Sequence, residues 1–215
     1  MMIGLRVVAL AIGYLLGNFQ TGYFYGKAHN IDIREYGSGN SGTTNTLRTL
    51  GKKAGAITFI GDLAKAIIAV LIARFAFAGL WEGDIKVLEM YAGFGAVLGH
   101  NFPFFLKFKG GKGIACTSGV ILAVCPLAAP LCLILFVGAV AITRYVSLGS
   151  ILVVTAYLIQ TIVFNAFGLL GIEDAWVLEF NVVALCFTAM GIWRHRANIV
   201  RLINGTENKL GQKAK

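Results

Sequence analysis

Long apolar runs separated by short polar segments dominate the chain. Runs that are long enough or nearly long enough to cross a bilayer lie at residues 3–24, 54–80, 87–106, 114–125, 126–142, 148–170 and 176–193. A helix needs about 20 mostly apolar residues to span a hydrocarbon core of roughly 30 Å. The pattern therefore predicts an all-α, polytopic integral membrane bundle of about seven transmembrane helices, with residues 1–215 forming a single membrane-embedded domain.

The run at 114–125 is the weak member of this series. It is too short for a full span unless it begins in the glycine-rich segment before it, and Pro126 marks a turn or kink directly after it. Six crossings are therefore the rival to seven. The two counts differ in topology, because seven crossings put the termini on opposite sides and six put them on the same side.

Positive charges distinguish the two sides, because Lys and Arg near span ends are retained preferentially in the cytoplasm. With seven crossings, one side receives Arg6, Lys86 and most of the acidic residues. The other side receives Lys27, Arg34, Arg48, Lys52, Lys53, Lys107, Lys109, Lys112, Arg144, Arg194, Arg196, Arg201, Lys209, Lys213 and Lys215. This split predicts an external amino terminus and a cytoplasmic carboxyl terminus.

Composition supports a membrane protein and argues against other classes. Hydrophobic residues make up 57% and charged residues 13%, whereas soluble domains average roughly 25% charged residues. The net charge of +9 is spread between apolar runs, which is unlike a nucleic-acid binder, so we predict no nucleic-acid partner. The four cysteines lie in apolar runs without CxxC spacing, and we interpret them as small buried hydrophobic residues.

A first polar cluster, residues 37–48, combines glycines with Ser, Thr and Asn and ends in Arg48. Glycines let the backbone approach a ligand closely, hydroxyl groups donate hydrogen bonds, and a guanidinium can hold a phosphate with two parallel donors. The cluster is therefore suited to an oxyanion. On composition alone, a flexible polar loop is the alternative.

A second cluster, residues 99–113, joins an aromatic membrane edge to a glycine-lysine turn that leads into the next helix. Backbone N–H groups at a helix start, together with Lys112, can cradle a phosphate. The segment is not a Walker motif, because Leu106 replaces the first Gly and Gly113 replaces the Ser or Thr that would hold magnesium. We therefore predict no nucleotide hydrolysis. A basic loop with an aromatic belt would explain the Lys and Phe residues but not the glycines.

A third cluster, residues 194–207, follows the last apolar run. If it is helical, His195 and Asn198 share one face. The alternative is an amphipathic helix whose basic residues bind anionic lipid headgroups.

Three further polar residues lie inside or at the ends of the apolar runs. Asp62 and Lys65 are one helical turn apart in the second run, where mutual neutralisation is the default interpretation. Ser147 is close to the inner end of the sixth run, where its hydroxyl can donate to an oxyanion or cap a helix.

The three clusters together resemble the PlsY family of bacterial acyl-phosphate:glycerol-3-phosphate acyltransferases, over nearly the whole chain. The resemblance rests on residues 37–48, 100–113 and 194–207, which occur in the order and spacing of the family. Departures are small, since Ser41 and Thr43 stand where the family often has an aliphatic residue and Ala.

The resemblance implies transfer of a fatty acyl group from acyl phosphate to the 1-hydroxyl of glycerol 3-phosphate. The products would be lysophosphatidic acid and phosphate, in the first committed step of bacterial phospholipid synthesis. It also implies a multi-pass protein of the inner membrane with a cytoplasmic active site and no metal or other cofactor. The implied partners are glycerol 3-phosphate, acyl phosphate, membrane lipid and the enzyme that supplies the acyl phosphate.

Matching positions carry the family's roles onto this chain. Catalytic roles fall on Ser38, Arg48, His195 and Asn198. Substrate binding falls on Asn40, Thr44, Asn45, Lys109, Gly110, Gly111, Lys112, Gly113 and Ser147. Structural roles fall on Glu207, His100, Asp62 and Lys65. Which phosphate group binds to which loop stays open.

The proposed chemistry is direct attack on an acyl phosphate that is already activated. The site must hold two anions together and stabilise the leaving phosphate, for which one well-aimed donor contributes about a hundred- to a thousand-fold in rate. His195 is the best side-chain candidate for the base, and a substrate phosphate oxygen is the alternative. The rival from another class is a small transporter for a phosphorylated metabolite, although the polar clusters lie on one side and no repeat is visible.

Overall fold

The computed structural model describes residues 2–212, which fold into helices joined by short connections. The α-helices are α1 (Met2–Gly17), α2 (Thr21–Ala28), α3 (Thr43–Ala76), α4 (Ile85–Asn101), α5 (Ile114–Val124), α6 (Ala129–Thr143), α7 (Val146–Ala166), α8 (Asp174–Arg194) and α9 (Arg196–Ile203). No strand occurs in the described range, so the predicted all-α class is confirmed. Lys213 and Lys215 of the charge pattern lie outside the described residues.

Five helical segments are long and apolar enough to cross a membrane: Met2–Ala28, Thr43–Ala76, Pro126–Thr143, Val146–Ala166 and Asp174–Arg194. Helix α4 has 17 residues and α5 only 11, so both are shorter than these segments. The α5 length agrees with the sequence-based expectation of a weak span at 114–125. Large apolar side chains such as Ile142 and Leu178 face outward, as they do in an integral membrane protein.

The predicted span over 3–24 is confirmed as part of the candidate span Met2–Ala28, but it is not one continuous helix, because α1 ends at Gly17 and α2 begins only at Thr21. The break leaves backbone carbonyl groups without helical partners. The buried Lys65 ammonium satisfies two of them, since Nζ donates to the carbonyl oxygens of Gly17 at 3.1 Å and Phe19 at 2.6 Å. The interruption is thus stabilised by a side chain from another helix.

Helix α3 begins earlier than the apolar run at 54–80 predicts. Its first residue is Thr43, so the second half of the first polar cluster is helical and not a loop. At Gly51 the backbone has φ 87° and ψ −176°, which kinks the helix between its polar start and its apolar body. The polar side chains of this cluster therefore project from a helix whose direction differs from that of the membrane segment.

Helices α1 and α4 pack closely through small residues. A Cβ on Gly13 would lie 1.9 Å from the carbonyl oxygen of Ala92, and one on Gly17 would lie 2.2 Å from that of Ala96. Small residues at such contacts let membrane helices approach each other. Residue numbers at these contacts increase together in the two helices, from Gly13 and Ala92 to Gly17 and Ala96, so α1 and α4 run in parallel.

The end of the bundle where α1 begins is held by an ion pair between α1 and α8. Arg6 Nε donates to Glu179 Oε1 at 2.6 Å, and its guanidinium lies over the rings of Trp81 and Trp176. Helices α1 and α8 therefore both start at this end. The three polar clusters lie at the opposite end.

The cysteine expectation holds for three of the four residues. Cys116, Cys125 and Cys132 are buried as predicted. Cys186 is exposed on α8, so its interpretation as a buried residue is wrong. An apolar membrane helix can direct a cysteine outward, because its surroundings are as apolar as the protein interior.

Candidate active site

One cavity gathers side chains from all three polar clusters. Predicted site residues that line it are Ser38, Asn40, Thr44, Asn45, Arg48, Asp62, His100, Lys112, Gly113, Ser147, His195, Asn198 and Glu207. Lys65, Lys109, Gly110 and Gly111 do not line it. The predicted convergence of the clusters is therefore observed, and four of the residues assigned to the site lie outside the cavity wall.

The Ser38 loop is fixed by the side chain of Asn45, which is buried. The Asn45 Oδ1 atom accepts a hydrogen bond from the Ser38 backbone N–H at 2.9 Å. Its Nδ2 donates to the carbonyl oxygens of Ile33 and Tyr36 at 3.0 Å each. Since the whole amide is used within the loop, Asn45 braces the Ser38 loop at the cavity wall, and its contact with substrate stays a prediction.

Several buried donors at the cavity have no hydrogen-bond partner among the described residues. They are Thr43 Oγ1, Arg48 Nε and Ser147 Oγ. Buried polar atoms normally have partners, because an unsatisfied one costs about 1–3 kcal/mol. These three atoms are available to donate to the oxygens of a ligand. Thr43 was not among the predicted site residues, although the departure from Ala at this position was the available signal.

Lys112 is held by a chain of polar contacts that ends at Glu207. Its Nζ donates to Asn198 Oδ1 in a short contact. Asn198 Nδ2 donates to Glu207 Oε1 at 2.9 Å, and Arg201 Nε donates to Glu207 Oε2 at 2.8 Å. Glu207 thus fixes the amide orientation of Asn198, which presents its oxygen to Lys112.

Lys112 remains a cation at neutral pH. Burial is the main cause that lowers its pKa, and Glu207 opposes this while Arg201, Arg194 and Arg48 add to it. The resulting pKa is about 8. A protonated amine at the cavity wall suits the binding of a phosphate oxygen.

His195 lines the cavity as a neutral imidazole. Its Nδ1 lies 2.8 Å from the carbonyl oxygen of Gly191, and because a carbonyl only accepts, Nδ1 carries the proton. The Nε2 atom is then left with a lone pair. Burial, followed by the charge of Lys112, lowers the pKa of His195 to about 4. The residue therefore has the tautomer of a proton acceptor at neutral pH.

The glycine loop packs closely against the end of α4. The N–H groups of Gly110 and Gly111 donate to the carbonyl oxygens of Asn101 at 3.2 Å and His100 at 3.0 Å. Phosphate binding by these two residues stays a prediction. A Cβ on Gly111 would lie 1.9 Å from His100 Nε2. These glycines allow a close approach between loop and helix, while Lys109 is exposed outside the cavity.

A buried charged group lies beneath this loop. Lys65 Nζ is 3.0 Å from Asp62 Oδ1 and 2.9 Å from His100 Nδ1. Because an ammonium only donates, His100 Nδ1 is the acceptor. Lys65 therefore fixes the His100 ring through Nδ1, while Gly111 packs against Nε2 of the same ring.

Apolar side chains also line the cavity. Phe59, Ile114, Ala115, Phe136 and Val146 belong to four different helices and line the same space as the polar residues. Such a wall suits a hydrocarbon chain. Sequence reasoning did not identify these residues, because apolar residues of a membrane helix look alike until the packing of the helices is known.

Comparison with known proteins gives a consistent result. A profile described as glycerol-3-phosphate acyltransferase matches residues 7–205. A glycerol-3-phosphate acyltransferase of Clostridioides difficile (strain 630) is 46% identical over 209 residues, which cover 96% of each chain. One of Thermoanaerobacter sp. (strain X514) is 43% identical with the same coverage of both chains.

Two crystal structures are also similar to this fold. PlsY (YgiH), an integral membrane glycerol 3-phosphate acyltransferase, in its glycerol 3-phosphate form has a TM-score of 0.80 and 34% identity, covering 96% of each chain. The lysophosphatidic acid form has a TM-score of 0.77 and 33% identity, covering 96% of this chain and 95% of that one.

Proposed function

Because the chain belongs to the glycerol-3-phosphate acyltransferase family, we propose that it acylates the 1-hydroxyl of sn-glycerol 3-phosphate with acyl phosphate as the donor. The products are lysophosphatidic acid and inorganic phosphate. The observation that carries the proposal is a single cavity that is lined both by cationic and unpartnered donors and by apolar side chains. Two phosphate-bearing molecules, one with a hydrocarbon chain, require this combination.

In the proposed reaction, the hydroxyl oxygen of glycerol 3-phosphate attacks the carbonyl carbon of the acyl phosphate. The bond from that carbon to the phosphate oxygen breaks, and the electron pair leaves with phosphate. Lys112 and Arg48 stabilise the phosphate charge that develops, while Ser38, Asn40, Thr44 and Ser147 donate to substrate oxygens. Asn198 orients Lys112 by accepting a hydrogen bond from its ammonium, and Glu207 holds the Asn198 amide in position.

Two groups are candidates for the base that takes the hydroxyl proton. His195 has the correct tautomer, because Nδ1 donates to Gly191 and Nε2 is unprotonated. A phosphate oxygen of the substrate is the alternative, and the low pKa of His195, about 4, makes His195 a weak base until anions enter the cavity. Bound phosphate would raise that pKa, because negative charge favours the imidazolium.

We also propose that residues 1–215 form one domain with seven crossings, an external amino terminus and a cytoplasmic carboxyl terminus. The helices α1, α3, α4, α5, α6, α7 and α8 would cross or enter the membrane. Gly113 precedes α5 and Ser147 begins α7, and both line the cavity, which supports a return of the chain to the same side between them. The basic residues near the cavity then face the cytoplasm.

In this arrangement, the enzyme lies in the bacterial inner membrane with its cavity at the cytoplasmic surface. Glycerol 3-phosphate would enter from water and the acyl chain from lipid. Contact with the enzyme that supplies acyl phosphate belongs to the same proposal. It would shorten the path of a reactive donor between two active sites.

A donor assay with purified protein in detergent tests the proposal. Glycerol 3-phosphate is supplied with one of three acyl donors: acyl phosphate, acyl-CoA or acylated acyl-carrier protein. Lysophosphatidic acid is measured by mass spectrometry. We expect lysophosphatidic acid when acyl phosphate is the donor and none with either of the other two donors. Product only with one of the other donors would overturn the proposed donor. Uptake of glycerol 3-phosphate into liposomes without any acylated product would indicate a transporter.

A further inference from the structure

The carbonyl oxygen of Gly110 joins the three polar clusters. Asn40 Nδ2, from the first cluster, donates to it at 3.3 Å. Arg194 Nη2, from the third cluster, donates to it at 3.0 Å. A single backbone atom of the glycine loop therefore receives a side chain from each of the other two clusters.

Arg194 makes a second contact with the same loop. Its Nε and Nη2 donate to the carbonyl oxygen of Gly111 at 3.1 and 2.6 Å. The guanidinium carbon lies 5.3 Å from the centre of the Phe102 ring, which restricts the side chain further. One planar group thus holds two successive carbonyl groups, a geometry that the fork of an arginine provides and a lysine does not.

The N–H groups of Gly110 and Gly111 donate to the carbonyl oxygens of Asn101 and His100. The carbonyl groups of the same two glycines accept from Arg194, and that of Gly110 also accepts from Asn40. Lys112 and Gly113, which line the cavity, follow directly in the chain. The orientation of the two glycine peptides sets where the Lys112 side chain begins.

We propose that Arg194 is a positioning residue that clamps the Gly110 and Gly111 carbonyl groups and thereby aims Lys112 and Gly113 into the cavity. The inference rests on the proposed function, in which Lys112 stabilises the phosphate charge. Arg194 does not line the cavity and acts through the loop.

Arg194→Lys is the main variant, because it keeps the positive charge and removes the fork. Arg196→Lys is the matched control, since Arg196 is exposed. Among residues 2–212, its hydrogen bond and its cation-π contact are both with Trp193, to the carbonyl oxygen at 3.1 Å and over the ring at 4.5 Å. We expect Arg194→Lys to lower kcat/KM by about 10- to 100-fold, the effect of losing one or two charge-assisted hydrogen bonds. The change should appear mainly as a higher KM for at least one phosphorylated substrate.

Hydrogen exchange gives a readout that does not depend on the reaction. In the wild-type protein, the Gly110 and Gly111 N–H groups should exchange slowly because both are hydrogen-bonded. Arg194→Lys should speed exchange of a peptide covering residues 107–113 by about tenfold or more, without changing peptides from α7. Arg196→Lys should leave this peptide unchanged. If Arg194→Lys does not fold, Arg194→Gln, which retains an N–H donor, is measured in the same way.

The two results together decide the inference. Faster loop exchange with a raised KM supports it. Exchange and kinetics of Arg194→Lys that match those of Arg196→Lys overturn it. Faster loop exchange in a protein whose wild type makes no lysophosphatidic acid would leave the clamp standing and overturn the proposed function instead.

Discussion

Lys112 and Asn198 are 86 positions apart in the chain, and the Lys112 ammonium donates directly to the Asn198 side-chain oxygen. The contact joins the second polar cluster to the third at the wall of the cavity. Asn198 can hold this orientation because its Nδ2 is occupied by Glu207. The Lys112 ammonium therefore lies between the second and the third polar cluster.

Replacing Lys112 should nearly abolish acyl transfer. We expect Lys112→Met to lower kcat by about a hundred- to a thousand-fold, because the charge that develops on phosphate loses its closest ammonium. Lys53→Met is the control, since Lys53 is exposed and does not line the cavity. Steady-state kinetics in detergent measure both variants. Equal losses in the two would contradict the assignment of Lys112.

The pKa of Lys112 predicts an alkaline limit to activity. Since burial lowers this pKa to about 8, the free enzyme loses its ammonium as pH rises through that value. The rate constant kcat/KM should then fall by up to about tenfold per pH unit above this point. In Lys112→Arg the guanidinium stays protonated, so the limb should disappear from the pH profile. A limb at the same pH in this variant would assign it to another group.

His195→Ala separates the two candidate bases. If His195 takes the hydroxyl proton, kcat should fall by about a hundred- to ten-thousand-fold in His195→Ala. The acid limb of kcat/KM, which reports the free enzyme and is expected near the His195 pKa of about 4, should vanish. His29→Ala is a matched control, because His29 Nδ1 also contacts a carbonyl oxygen four residues earlier but is exposed. An unchanged pH-rate profile in His195→Ala would remove His195 as the base and favour a substrate phosphate oxygen.

Gly111→Ala tests the close approach of loop and helix. The added Cβ would lie 1.9 Å from His100 Nε2, and the ring cannot retreat easily because Lys65 contacts its other nitrogen. Overpacking of this kind costs about 1–3 kcal/mol, and we expect the displaced loop to lose more than tenfold in kcat/KM. Gly138→Ala is the control, because nothing lies within 4 Å of its Cβ position. Wild-type kinetics in Gly111→Ala would refute the contact.

Glu207→Gln should weaken the fold around the cavity. The carboxylate accepts from both Asn198 and Arg201, whereas an amide would direct its own N–H groups at one of these donors. We expect a loss of about 1–3 kcal/mol in the free energy of unfolding, together with lower activity. Thermal unfolding in detergent measures the first effect. Glu35→Gln, at an exposed residue, should change neither, and an equal effect in both variants would contradict the bracing role.

The sequence was most informative about residue types and least informative about contacts. The distribution of Lys and Arg predicted that the clusters containing Lys112 and Asn198 lie on the same side of the membrane, and the family resemblance assigned both residues to one site. The sequence could not show that the Asn45 amide faces its own loop. That depends on the turn that brings the carbonyl groups of Ile33 and Tyr36 to it.

Helix ends show the same limit. Hydrophobicity predicted one span over 3–24, because the three polar residues Asn18, Gln20 and Thr21 did not outweigh the apolar residues around them. The break depends on Lys65, a residue far along the chain that satisfies the freed carbonyl groups. The sequence placed Arg194 in a recognised motif. Its contacts with Gly110 and Gly111 could be found only in the folded structure.

The central claim is that one cavity brings an acyl phosphate and glycerol 3-phosphate together for direct transfer. Its most direct test is a stoichiometric assay on the purified wild-type chain and on Lys112→Met, with both products quantified in the same reaction. The wild type should form one lysophosphatidic acid for each phosphate released, require both substrates, and lose both products together in Lys112→Met. Phosphate release without glycerol 3-phosphate, or without an equal amount of lysophosphatidic acid, would contradict the account.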